Sequence, residues 1–148
     1  MAEKTKTKTK TKVKKTKKKD YTYAVGRRKT ATARVRLYSK KGDLIVNGVP
    51  AGQYFPSERS KAAYLQPLKV TNTLGKLSFS VKVQGSGKYG QLGAVVHGIS
   101  RALAILDEET HRPVLKKYGL LTRDSRMRET RKAGTGGKAR RKKQSPKR

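Results

Sequence analysis

The sequence predicts an α+β domain carrying a basic arm at each end, and three observations lead there. Apolar and polar residues alternate along Ala31–Tyr38 and again from Leu77 to Val83, the period of half-buried strands. A 3.6-residue apolar stripe (Leu92, Val95, Val96, Ile99, Leu103, Leu106) then marks a long helix from about Gly90 to Leu106. Charge is concentrated at the ends. The chain has 148 residues and a net charge of +30, of which residues 1–19 hold +9 and residues 120–148 hold +10. Strands followed by helices describe an α+β layer rather than a βαβ repeat.

The first arm, residues 1–19, alternates Thr with Lys and has Val13 as its only apolar side chain after Ala2. It has nothing to bury, which predicts disorder in the free chain, either as a solvated tail or as an interaction arm. The globular core is expected over residues 20–119. Val25-Gly26-Arg27-Arg28-Lys29-Thr30 leads into the 31–38 strand, whose Ala31, Val35 and Leu37 face one way and Thr32, Arg34 and Arg36 the other. Such a face is either a solvated strand edge or an RNA contact; its cation density favours RNA. Ser39-Lys40-Lys41-Gly42 reads as a turn, Leu44-Ile45-Val46 as a strand closed by Asn47-Gly48. Ser57 is placed to cap a short helix through Leu65 that stops near Pro67.

Gly85-Ser86-Gly87-Lys88 invites a phosphate-loop reading, but Lys82 stands where the first glycine of that motif belongs and Tyr89 where Ser or Thr belongs. What is left is a Gly-rich loop opening a helix, with Lys88 beside it as a candidate phosphate contact. Asp107-Glu108-Glu109 reads as acidic charge at the start of the next helix, with Pro113 in its first turn and Gly119 as its stop. His97 falls off the apolar stripe and is expected on the surface. His97 and His111 have no Cys or clustered carboxylate nearby, so neither a metal site nor a cofactor is expected. The acids form no catalytic set, and the expectation is a non-enzyme without a small-molecule substrate.

The second arm, residues 120–148, mixes Arg with Lys and is broken by Gly134, Gly136, Gly137 and Pro146, which suits threading along folded RNA. The chain has no Cys, which excludes disulfides and Cys-based zinc sites. No apolar run approaches the ~20 residues of a membrane-spanning helix. The first arm also lacks the apolar helical face that a membrane-surface segment needs, and the Leu92–Leu106 stripe, the one candidate for such a face, has few cations opposite it, which favours core packing. Met1-Ala2-Glu3-Lys4 runs into Lys and Thr, so no secretory signal and a cytoplasmic location are expected. The natural counterion for +30 is a polyanion such as nucleic acid.

Several segments together resemble one family. Gly26-Arg27-Arg28-Lys29-Thr30-Ala31 followed by Ala33-Arg34-Val35-Arg36-Leu37 is similar to the opening signature of small-subunit ribosomal protein nine. So are Ile45-Val46-Asn47-Gly48, Tyr54-Phe55, Gln66-Pro67-Leu68, the run from Gly85 to Leu103, Leu121-Thr122-Arg123-Asp124-x-Arg126 and Lys138-Ala139-Arg140-Arg141. The resemblance covers about residues 21–148, and the Thr-Arg-Asp-x-Arg form looks bacterial or organellar. It implies a two-layer core, a mixed sheet with helices on one face, like the second domain of ribosomal protein five. It also implies binding to the 3′ major domain of rRNA in the small-subunit head, beside neighbouring head proteins, with the C-terminal arm reaching the peptidyl-site tRNA.

On that basis the rRNA contacts are expected from Arg27, Arg28, Lys29, Arg34, Arg36, Lys88, Arg101, Arg123, Arg126, Arg128, Arg131, Lys138, Arg140, Arg141 and Lys142, and the tRNA contact from Lys147 and Arg148. Gln144-Ser145-Pro146-Lys147-Arg148 departs from the family's common Gln-Phe-Ser-Lys-Arg ending, and the Lys/Thr arm has no counterpart in the family pattern. Two other readings compete: a nucleic-acid compactor, for which the structured core is surplus, and a phosphotransferase-class enzyme, for which the acids are missing.

Overall fold

The alternation along Ala31–Tyr38 is realised as a strand, β2, whose Ala31, Ala33, Val35 and Leu37 are buried while Arg34 and Arg36 stay in solvent. The structure, a computed structural model, describes residues 20–133. Ahead of β2 lies β1 (Thr22–Arg28), and after it come β3 (Leu44–Val46), β4 (Val49–Pro50) and β5 (Ser78–Gln84). The helices are α1 (Ala51–Tyr54), α2 (Glu58–Val70), α3 (Lys88–Leu106) and α4 (Glu108–Lys117). The sheet order is β1-β2-β5-β3-β4. The β3–β5 pair is parallel and the others are antiparallel, so the sheet is mixed, as expected.

Because side chains alternate across a strand, register assigns every residue to a face. Ala24, Val35, Val81 and Val46 form one buried row, and Leu37 lies beside Phe79 in another. These rows meet α3, whose Ala94, Val95, Ile99, Ala102 and Leu103 are buried, while Tyr64 and Leu68 of α2 and Leu115 of α4 close the same core. The helix approaches closely at one point. A Cβ on Gly26 of β1 would lie 2.0 Å from the Ala94 carbonyl oxygen, and one on Gly98 of α3 would lie 2.6 Å from Val35 Cγ2. Glycine is required at Gly26 because backbone meets backbone there, and at Gly98 because the Val35 methyl group fills the space a Cβ would take.

The turn between β3 and β4 uses Asn47 (φ 52°) and Gly48 (φ 83°), the positive-φ pair of a tight hairpin. Asn47 also extends the parallel ladder with its side chain. Its Nδ2 donates to the Val83 carbonyl at 3.0 Å and its Oδ1 accepts the Val83 N–H at 2.8 Å. The Tyr54 hydroxyl accepts from Asn47 Nδ2 and donates to Gln91 Oε1 at 2.7 Å, tying α1 to the start of α3.

Four expectations need correction. The helix expected to stop near Pro67 runs on to Val70, with Pro67 inside it and buried. Proline removes one backbone donor, but here its ring packs in the core and Thr71 satisfies the Pro67 carbonyl through its N–H and its Oγ1. Ser57 stands at the N-cap but its side chain makes no cap hydrogen bond. Pro113 lies in the second turn of α4, not the first, because Asp107 is the cap, accepting the Thr110 N–H at 3.2 Å. His97 is half-buried, not on the surface, because the α3–β1 crossing brings its ring against the edge of β1. The expected arm at 1–19 and residues 134–148 of the expected arm at 120–148 lie outside the described residues.

Candidate nucleic-acid interface

The face of the sheet turned away from α3 collects cations by register. Arg34 of β2 stands opposite Lys82 of β5, Arg36 lies two residues along, and Arg27 opposes Thr32 at the end of β1. Arg27, Arg34, Arg36 and Lys82 are all exposed, and none of the ion pairs among the described residues involves them. Aromatic rings flank this face. Tyr23, opposite Arg36, is 47% exposed, Tyr21 and Tyr38 pack at 5.8 Å between centroids, and the Arg36 guanidinium lies 5.2 Å from the Tyr21 ring centre. Cations interleaved with tyrosines suit a phosphate backbone with bases at its side. Lys82 was not among the expected contacts, although the alternation along 77–83 already placed it outward.

Other cations expected to meet RNA have protein partners. Arg28 faces the helix side of β1, and its side chain is only 15% exposed. Its Nη1 donates to the carbonyls of Asp124 at 2.9 Å and Arg126 at 2.8 Å and lies 2.9 Å from Asp124 Oδ1. Arg126 turns back on the same carboxylate, donating from its backbone N–H at 2.9 Å and its Nη2 at 2.9 Å. Hydrogen bonds from Arg126, with the charges of Arg126 and Arg28 adding, hold the Asp124 carboxyl well below the usual carboxylate range. This latch fastens the start of the C-terminal segment to the core across 96 residues of sequence.

Arg101 is likewise engaged, its Nη1 donating to the Val25 carbonyl at 2.6 Å, while one helical turn earlier His97 Nδ1 accepts the Arg27 N–H at 3.2 Å. These two α3 side chains therefore cover backbone groups of edge strand β1, which blunts strand-to-strand association. Burial, followed by the charge of Arg101, pushes the His97 imidazole below its ordinary pKa.

Lys29 occupies the exposed β1–β2 turn with φ 50°, and Lys88 opens α3 with its Nζ 3.4 Å from the Tyr54 ring centre. That position, beside the helix N-terminus, is a cation–π contact. Arg123, Arg128 and Arg131 are exposed along a segment without helix or strand. Lys138, Arg140, Arg141, Lys142, Lys147 and Arg148 lie outside the described residues.

On the helix side, α2, α3 and residues 119–126 enclose a cleft of about 520 Å³. Ala63, Leu92, Val96 and Leu120 supply apolar lining, and Arg27, Arg59, Tyr89, His97 and the latch supply the polar part. No group of three or more His, Cys, Asp or Glu side chains that could hold a metal ion occurs among the described residues, and none of their helices is long and apolar enough to cross a membrane.

A sequence profile of ribosomal protein S9/S16 matches residues 26–148. Curated relatives agree. Small ribosomal subunit protein uS9 of Maridesulfovibrio salexigens is 52% identical over 112 residues, covering 76% of this chain and 85% of the relative. The uS9 proteins of Anaeromyxobacter sp. (50% over 113 residues, 76% and 86%) and Solidesulfovibrio magneticus (53% over 112 residues, 76% and 85%) match over similar spans. The sheet, its exposed cations and these matches converge: the chain belongs to the ribosomal protein S9/S16 family, and is a structural protein rather than an enzyme.

Proposed function

We propose that this chain is a structural protein of the small ribosomal subunit that binds rRNA of the subunit head, the 3′ major domain, among neighbouring head proteins. The observation that carries this reading is the open sheet face, where Arg34 and Lys82 pair across strands and Arg36 extends the row with no acid to neutralise them. Each phosphate met there releases condensed counterions, while sheet shape and flanking tyrosines set the fit. The chain divides functionally into a Lys/Thr arm (1–19), an rRNA-binding core (20–119) and a C-terminal arm (120–148). The latch of Arg28 on Asp124 and Arg126 sets the direction in which the C-terminal arm leaves. Its basic residues Arg123, Arg128, Arg131, Lys138, Arg140, Arg141 and Lys142 line rRNA, while Arg126 is held by Asp124, and Lys147 and Arg148 meet the phosphates of the peptidyl-site tRNA.

A salt-titrated competition tests this. The full chain is bound to an rRNA fragment of the subunit head against unrelated RNA and duplex DNA of equal length, near physiological salt, and again on partly assembled particles. A preference for the head fragment that survives added salt is expected. Equal binding to all three competitors in both settings would replace this reading with a compactor of nucleic acid in general.

A further inference from the structure

The geometry points to the helix-side cleft as a pocket for one unpaired RNA nucleotide, its base lying against Tyr89 and the apolar floor and its phosphate on Arg59. The sheet face already described lies on the other side of the strands, so this is a second RNA contact; it rests on the reading that the chain binds RNA.

Four features converge. First, the cleft is the right size, since about 520 Å³ falls within the range of small-ligand pockets. Second, its floor is apolar, from Ala63, Leu92, Val96 and Leu120. A duplex would touch only the rim, because its bases are stacked inside; an apolar floor gains contact only from a base taken out of the stack. Third, Tyr89 stands in the wall with 72% of its surface exposed, the most exposed of the large hydrophobic side chains described. A tyrosine left this open at the mouth of a pocket offers a stacking platform. Fourth, the cleft is cationic. Its single carboxylate, Asp124, is already occupied by Arg28 and Arg126, leaving Arg59 for an anion. The hydroxyls of Ser57, Ser60 and Thr122 supply groups that can hydrogen-bond a base edge. An acidic peptide would also answer to the cations, but not to an isolated exposed aromatic above an apolar floor as well as a base does.

The test compares the full chain with Tyr89→Ala and Tyr89→Phe, binding an unstructured hexaribonucleotide and a stable twelve-base-pair RNA duplex, compared at equal total phosphate concentration and about 0.15 M salt. The His97 imidazole resonances report the cleft directly. Stacking on one aromatic ring predicts about tenfold weaker single-strand binding in Tyr89→Ala, with Tyr89→Phe close to the unaltered chain and duplex binding changed less than about twofold. The His97 resonances should move with the hexamer and not with the duplex. Single-strand binding unaffected by Tyr89→Ala, equal loss for both RNAs, or His97 resonances that ignore the hexamer would each overturn the pocket. So would His97 moving only when a neighbouring head protein is added. Those failures leave the preference for head rRNA standing; loss of that preference in the unaltered chain is a separate result, and it removes the RNA reading itself.

Discussion

The β1–β2 hairpin carries arginines on both of its sides, and the two sides use them differently. Toward the helices, Arg28 is spent on the Asp124 carboxylate and two backbone carbonyls, and Arg101 of α3 reaches down to the Val25 carbonyl at the hairpin's edge. Away from the helices, Arg34 and Arg36 find no carboxylate and stand beside Lys82 in water. A basic protein's cation count therefore overstates its nucleic-acid contacts. The cations available to phosphate are those the fold leaves without an internal acceptor, and register decides which these are.

The comparison exists only while α3 lies flat on β1 and β2, and Gly26→Ala removes that condition. The added Cβ would meet the Ala94 carbonyl oxygen at 2.0 Å and the Gly98 nitrogen at 2.3 Å, both of them backbone atoms that cannot rotate away. Overpacking of this kind costs about 3 kcal/mol. Thermal unfolding should show Tm lowered by more than about 10 °C, the largest effect predicted for any single substitution here. An unchanged Tm would mean that helix and sheet separate freely at this crossing, and that the two faces are less distinct than the geometry makes them.

With the fold intact, paired substitutions sharpen the contrast. The chain has no native cysteine, so spin labels at Ala62→Cys and Met127→Cys, both exposed sites, report how the start of the C-terminal arm sits against the core. Arg28→Ala should broaden that distance distribution severalfold, because the latch to Asp124 and Arg126 is gone. Arg34→Ala should leave the distribution as it was. In RNA binding, Arg34→Ala should lower the slope of log affinity against log salt by about 0.7–0.9, the share of one phosphate contact. An identical salt slope in Arg34→Ala, or an unchanged distribution in Arg28→Ala, would dissolve the division of labour between the faces.

How much of this could be read from the sequence follows from where each interaction lives. β2, β5 and α3 were legible because their periods are uninterrupted and their buried positions hold Val, Leu, Ile, Phe and Ala. β1 was not, since its helix-facing positions are Ala24, Gly26 and Arg28. The close crossing of α3 demands small residues there, and small residues erase the apolar alternation. α1 has four residues, too few for a periodic signal. Pro67 and Pro113 misplaced helix boundaries because packing and a neighbouring cap outweighed the local cost of a missing N–H. For the candidate site, the outward cations of β2 were readable from alternation and Lys82 could have been. The capture of Arg28 by Asp124 could not, because the partner is 96 residues away and only the fold brings the two together.

The smallest effect predicted concerns the seam between the faces, where His97 Nδ1 accepts the Arg27 N–H at the edge of β1. Accepting that bond requires an unprotonated Nδ1. Burial and the nearby charge of Arg101 favour the neutral ring further, with Arg123 adding, so the folded-state pKa lies below the ordinary value of about 6.5. A base with a depressed pKa binds fewer protons folded than unfolded. Its contribution to stability is therefore complete above about pH 6.5 and declines as pH falls from there toward the folded-state pKa. Below that point protonation sets two donors against each other, and the Arg27 amide loses its acceptor. Tm should decline slightly more from pH 7.5 to pH 5.5 in the unaltered chain than in His97→Gln, whose amide oxygen can accept at any pH. Amide exchange at Arg27, corrected for its intrinsic pH dependence, should speed up over the same range while Arg34, in the interior of the hairpin ladder, does not. Parallel Tm profiles for the two proteins would mean that the imidazole titrates as it does in water, and that the edge of β1 is held by its pairing with β2 and by Arg101 alone.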